Sequence, residues 1–151
     1  MISKEETIKL ADSYVSQGFL CSESCLTALA KCQGVESPLI PRIATGFGAG
    51  IGMNGEICGA ITGAVMALGI RYGRDRVDPA VNQRPYWYSM ELLKRFRAEH
   101  GEIRCPTLLG LDIAKAEDLE EYYRRNLWVN RCTRFILSAT GIARDIIEEN
   151  G

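Results

Sequence analysis

The segment Gly55-Glu56-Ile57-Cys58-Gly59-Ala60-Ile61-Thr62-Gly63-Ala64-Val65-Met66-Ala67-Leu68-Gly69-Ile70-Arg71 carries glycine at 55, 59 and 63 and alanine at 60, 64 and 67. On a helix, small side chains recurring every four positions lie on one face, and a face without bulk lets another backbone come very close. The pattern predicts a central, tightly packed helix over 55–71. Its apolar run, Ile57 to Ile70, is 14 residues long. About 20 are needed to span a bilayer as a helix, so a buried helix with no membrane insertion is expected.

Immediately upstream, glycines at 46, 48, 50 and 52 bring the total between Ala44 and Gly63 to seven. Each loses more conformational freedom on folding than any other residue, so such a run needs a structural reason. Further upstream, Ser3-Lys4-Glu5-Glu6 has the spacing of a capping box, and Ile8, Ala11 and Val15 follow at helical intervals until Gly18. A second helix places Cys21, Cys25, Ala28 and Cys32 on one stripe before Gly34 and Pro38 end it.

Downstream, Pro79 and Pro85 mark a connection, and Tyr86, Met90, Leu93 and Phe96 form an apolar stripe on a helix ending near His100 and Gly101. His100 there reads as a partner of the helix C-terminal dipole. Arg104-Cys105-Pro106 opens an irregular stretch through Gly110. Trp128, Cys132, Phe135, Ile136, Ala139, Ala143 and Ile146 then line one side of a long final helix. No alternating β-branched run and no fixed repeat interrupts this pattern. The expected fold is all-α: a single compact domain over 1–151, of about five or six helices around a Gly/Ala-rich one.

The 151 residues include 18 Lys and Arg against 19 Asp and Glu, a net charge of −1. That balance gives no electrostatic footprint for nucleic acid. The start, Met-Ile-Ser-Lys-Glu-Glu-Thr, lacks the features of a secretory signal, so a cytoplasmic location is expected. Six cysteines (21, 25, 32, 58, 105 and 132) are many for a reducing compartment, where clustered thiols more often bind metal or do redox work than form lasting disulfides.

Gly50-Ile51-Gly52-Met53-Asn54-Gly55 has the G-x-G-x-x-G spacing of a dinucleotide turn. The preceding segment contains Pro41 and no second strand follows, so the match reads as accidental and no NAD is expected; an anion on the loop amides is the alternative. Cys58 falls in the first turn of the central helix, where the helix dipole favours a thiolate and lowers its pKa. Tyr122-Tyr123-Arg124-Arg125 reads as a solvated helix face.

Cys58-Gly59-Ala60-Ile61-Thr62-Gly63 matches C-G-A-x-x-G, the signature of the C_GCAxxG_C_C family of redox-active proteins, and the chain resembles that family over nearly its whole length. Gly18-Phe19-Leu20-Cys21-Ser22-Glu23-Ser24 is similar to its first cysteine segment. Cys105, before Leu108-Leu109-Gly110, and Cys132 fall where its third and fourth cysteines belong.

The resemblance implies that Cys21, Cys58, Cys105 and Cys132 form one site. Analogy with a related domain in split-Soret cytochromes makes an iron–sulfur cluster the leading cofactor, with a single zinc ion as an alternative. No C-x-x-C-H is present, so no haem is carried over. Arg104 and Arg131, each beside a proposed ligand, are candidates to offset the cluster's charge. Cys25 and Cys32 lie outside the four-cysteine pattern and read as core, with Cys25 as a substitute ligand or resolving thiol in the alternative.

Two other readings stand beside this one. The first is a thiol–disulfide oxidoreductase or thiol sensor without metal, in which Cys58 attacks and Cys21 or another cysteine of the pattern resolves. The second is a helical assembly module whose cysteines only pack. A redox partner protein and a homo-oligomer meeting at the glycine-lined helix complete the expectations.

Overall fold

The structure, a computed structural model, describes residues 1–80 and 86–151; Pro85, one of the two prolines read as a connection, lies outside them. The described residues are all-helical, with no strand, and form a single compact domain of eight helices rather than five or six. In chain order these are α1 (Lys4–Ser16), α2 (Cys21–Cys32), α3 (Gly48–Met53), α4 (Gly59–Tyr72), α5 (Trp87–His100), α6 (Cys105–Leu109), α7 (Ala116–Arg124) and α8 (Thr133–Asn150). A 3₁₀ segment, Arg42–Phe47, precedes α3, and a π-helical turn, Trp128–Cys132, leads into α8. The additional helices α3, α6 and α7 are only 6, 5 and 9 residues long, too short for an apolar period to reveal them. Among the described residues no helix is long and apolar enough to cross a membrane.

The capping box at the start of α1 forms as its spacing requires: Ser3 Oγ accepts the Glu6 N–H, and the Glu6 carboxylate accepts the Ser3 N–H, both at 3.1 Å. Helices α1, α2, α4, α5 and α8 enclose one main core, with Ala11, Leu26, Ile61, Phe96 and Ile136 fully buried. Cys25 and Cys32 belong to this core. Cys25 Sγ lies 3.4 Å from the Thr140 hydroxyl, and the Cys32 thiol donates to the Ile2 carbonyl at 3.8 Å.

The small-residue face of α4 packs against α2 of the same chain. A Cβ at Gly63 would stand 2.5 Å from the Ser22 carbonyl oxygen and 3.1 Å from Cys25 Cβ. Gly63→Ala is therefore expected to force the two helices apart and lower stability by about 1–3 kcal/mol, read as a fall in the urea midpoint.

Two expectations change in α5. The helix starts at Trp87, and Tyr86 and Met90 are exposed, at 74% and 67%. The inward face runs instead through Tyr88, Leu92 and Phe96, with Tyr88 stacked on Tyr72 of α4 at 3.7 Å between ring centroids. His100 ends the helix between the rings of Phe96 and Phe135, its Nε2 2.8 Å from Ser138 Oγ. Burial pushes its pKa down, which favours a neutral ring over a charged partner for the helix dipole.

Candidate redox site

Four separate stretches of chain deliver the four pattern cysteines to one place. Cys21 is the first residue of α2, and Cys58 is the N-cap of α4, with extended backbone at φ −50° and ψ 133°. The central helix thus begins at Gly59, not Gly55, and Cys58 stands one residue outside its first turn. An isolated antiparallel bridge between Ile57 and Arg104 sets Cys58 opposite Ile103 and Cys105 opposite Glu56, so the two cysteines lie diagonally across it on the same face. In it the Cys58 N–H donates to the Ile103 carbonyl at 2.8 Å and the Cys105 N–H to the Glu56 carbonyl at 2.9 Å. Cys132 closes the π-helical turn, whose extra residue per turn shifts the phase of the side chains before α8 resumes ordinary winding.

All four thiols line a single cavity of about 340 Å³. Its walls are otherwise mostly apolar, with Leu20, Met53, Leu109, Leu119 and Trp128 among the lining residues. The pairs come from different bodies. Cys58 belongs to the main core and Cys21 packs against it, whereas Cys105 and Cys132 belong to a smaller cluster with Leu109, Tyr122 and Leu127.

The glycine run has its reason here. From Ala49 to Gly52 the backbone winds left-handed, with φ between 55° and 67°, and Met53 follows at φ 67°. This left-handed turn is what G-x-G-x-x-G encodes in this chain, not a strand-to-helix phosphate turn. Left-handed winding costs an L-residue roughly 1–2 kcal/mol, and alternate glycines spare the turn part of that. The turn is tied down by the Glu56 N–H donating to the Gly50 carbonyl at 3.0 Å, and it directs the Ala49 N–H at the Cys21 sulfur. Ser22 and Gly59 amides point at the same sulfur. Gly59 is pressed so close that a Cβ there would collide with Cys21 Sγ and stand 3.2 Å from Gly48 Cα.

Burial dominates the electrostatics. It pushes the Cys58 thiol well above its ordinary value, against the lowering expected from the helix dipole, and the Ala60 N–H only partly opposes it. Burial likewise raises Cys21, and takes Cys105 to about 12 and Cys132 to about 11. Arg104 and Arg131 do not supply the charge expected of them. Both are exposed, Arg104 lying 3.7 Å from Glu56 and Arg131 donating to the Leu108 carbonyl. Negative charge on the sulfurs is met instead by backbone amides and by the N-termini of α2 and α4.

A pH dependence follows. Between the ordinary thiol value of 9.0 and the raised values of about 11 to 12, the metal-free native state holds protons that the unfolded chain has released. The associated stability is complete below the lower limit and is lost as pH rises through the window. Urea midpoints of metal-free protein should fall between about pH 8.5 and about pH 10.5, and serine at 105 and 132 together should flatten the slope.

Tyr122 was not legible as a site residue, yet it is buried, lines the cavity and holds its hydroxyl 3.2 Å from Cys132 Sγ. The only signal was that Leu119 and Tyr122, three apart, share a face of an otherwise polar segment. Cys25 and Cys32 do not line the cavity. All six cysteines are free thiols, and among the described residues no group of three or more His, Cys, Asp or Glu side chains is arranged to hold a metal ion directly.

These features define a helical protein in which four thiols from separate stretches of the chain line one cavity. The chain belongs to the family described as putative redox-active protein (C_GCAxxG_C_C), whose model matches residues 19–146. No curated protein and no solved structure gives a match.

Proposed function

We propose that Cys21, Cys58, Cys105 and Cys132 hold an iron–sulfur cluster and that the protein serves in electron transfer or redox sensing. The observation that carries this reading is that the four thiols of the family pattern line one cavity of about 340 Å³. A single tetrahedral zinc, whose Zn–S bonds of about 2.3 Å demand tight convergence of the same four sulfurs, is the alternative occupant. The donor set is all sulfur, the ligation most such clusters use, and the other cavity walls are mostly apolar. A bound cluster supplies one-electron redox chemistry. The chain's part is to present four deprotonated sulfurs, to direct amides at Cys21, and to limit access to a redox partner protein.

Anaerobic reconstitution with iron and sulfide, followed by iron, sulfide and zinc analysis and visible absorption, tests the proposal. Iron and sulfide bound together with a visible chromophore are expected in the native chain, with both lost in Cys58→Ser. A colourless, iron-free protein with all its thiols reactive after unfolding would overturn it.

One observation favours a second reading: Cys21 Sγ lies against Gly59, the neighbour of Cys58. In that case two thiols form one disulfide and deliver two electrons and two protons to an oxidised partner. A reversible two-electron couple in metal-free protein, abolished by Cys21→Ser or Cys58→Ser, distinguishes it.

A further inference from the structure

We propose that Tyr122 is a positioning residue of the thiol site, whose hydroxyl donates to the Cys132 sulfur and raises the reduction potential of the cluster that sulfur helps to hold. The inference rests on the cluster reading. The two atoms are 3.2 Å apart, within hydrogen-bond range for sulfur. Either atom can donate while Cys132 is a thiol, but a cysteine bound to metal has no proton left, so the phenol must then be the donor.

The placement is specific. Tyr122 is the one buried residue of α7, and α7 lies along no other described helix. The helix is seated by Leu119 and Tyr122 in the small cluster that also contains Cys105 and Cys132. Tyr123, its neighbour in sequence, is 71% exposed. Both tyrosines line the cavity, but Tyr122 is the buried one, and it is its hydroxyl that meets a cysteine sulfur.

A donor at a cluster sulfur stabilises the reduced state more than the oxidised one, because the reduced cluster carries more negative charge. Among the described residues no basic side chain lines this cavity, so an oriented O–H dipole is conspicuous among the groups facing that charge. Removing it should lower the midpoint potential, and strengthening it should raise that potential.

The test compares reconstituted wild-type protein, Tyr122→Phe, and protein carrying 3-fluorotyrosine at position 122 by redox titration of the visible chromophore. Phenylalanine keeps the ring and removes the donor; the fluorinated phenol is nearly the same size and a stronger donor. At equal iron content, a shift to lower potential with phenylalanine and to higher potential with fluorotyrosine is the expected result. Unmoved potentials at equal iron content would overturn the proposal while leaving the cluster reading intact. If Tyr122→Phe fails to fold or to retain iron, the fluorotyrosine protein decides alone, and an unmoved potential in it is fatal. Wild-type protein that takes up no iron would remove the cluster reading and this inference with it.

Discussion

Alanine in place of Gly59 is expected to cost the protein stability and, if the proposed cluster forms, the iron it takes up on reconstitution. The added carbon would collide with Cys21 Sγ and stand 3.2 Å from Gly48 Cα and 3.3 Å from the Phe47 carbonyl oxygen. A sulfur can rotate away, but two backbone segments must shift to make room. Overpacking of this kind costs about 1–3 kcal/mol, and the rotated sulfur no longer faces its three partners. Urea denaturation should show the loss, and iron per chain after gel filtration should fall by more than half.

Gly69, further along the same helix, has an ordinary φ, and a Cβ there would meet nothing within 4 Å. Gly69→Ala should therefore stabilise the protein by up to about 1 kcal/mol and leave any iron uptake on reconstitution unchanged. Equal behaviour of the two variants would show that close approach to Cys21 is not what reserves position 59 for glycine.

The second large effect is expected at Gly50, where two penalties coincide. Its φ of +67° is unfavourable for any L-residue, and a Cβ there would lie 2.9 Å from both Cys105 Cβ and the Glu56 nitrogen. Gly50→Ala should therefore lose about 2–5 kcal/mol, the sum of left-handed strain and overpacking. Gly52 has a similar φ of +60° but no neighbour closer than 3.7 Å, so Gly52→Ala isolates the conformational part, about 1–2 kcal/mol. The difference in urea midpoint between the two variants measures the combined contact with Cys105 and the Glu56 backbone. Alkylation of Cys105 should also quicken in Gly50→Ala, because the turn that covers it is displaced.

The long helices were legible because each carries a full apolar period: the stripe through Phe135, Ile136, Ala139, Ala143 and Ile146 is buried as its spacing implies. Alternate glycines marked 46–52 as unusual, but no propensity rule reveals that Ala49, Ile51 and Met53 also adopt positive φ. That conformation is imposed by the surroundings, through bonds such as Glu56 to Gly50. The cysteine pattern named the four thiols. The bridge that puts Cys58 and Cys105 on one face is a single pair of residues, below the length at which strand alternation becomes visible. Arg104 and Arg131 illustrate the opposite failure, since adjacency in sequence says nothing about which way a long side chain turns. Tyr122 was hidden by its company, two arginines and a second tyrosine at the end of a short polar helix.

The left-handed turn has one further consequence, and it concerns chirality. Positive φ is the natural territory of D-amino acids, for which the steric penalty changes sign. Position 52 is exposed and lies within that turn, so a chain made by chemical ligation with D-alanine there should be more stable than the native one, by about 0.4–1 kcal/mol, through a less disordered unfolded state. The mirror-image residue would fit where its L-counterpart is strained, in a protein otherwise built wholly from the ordinary hand.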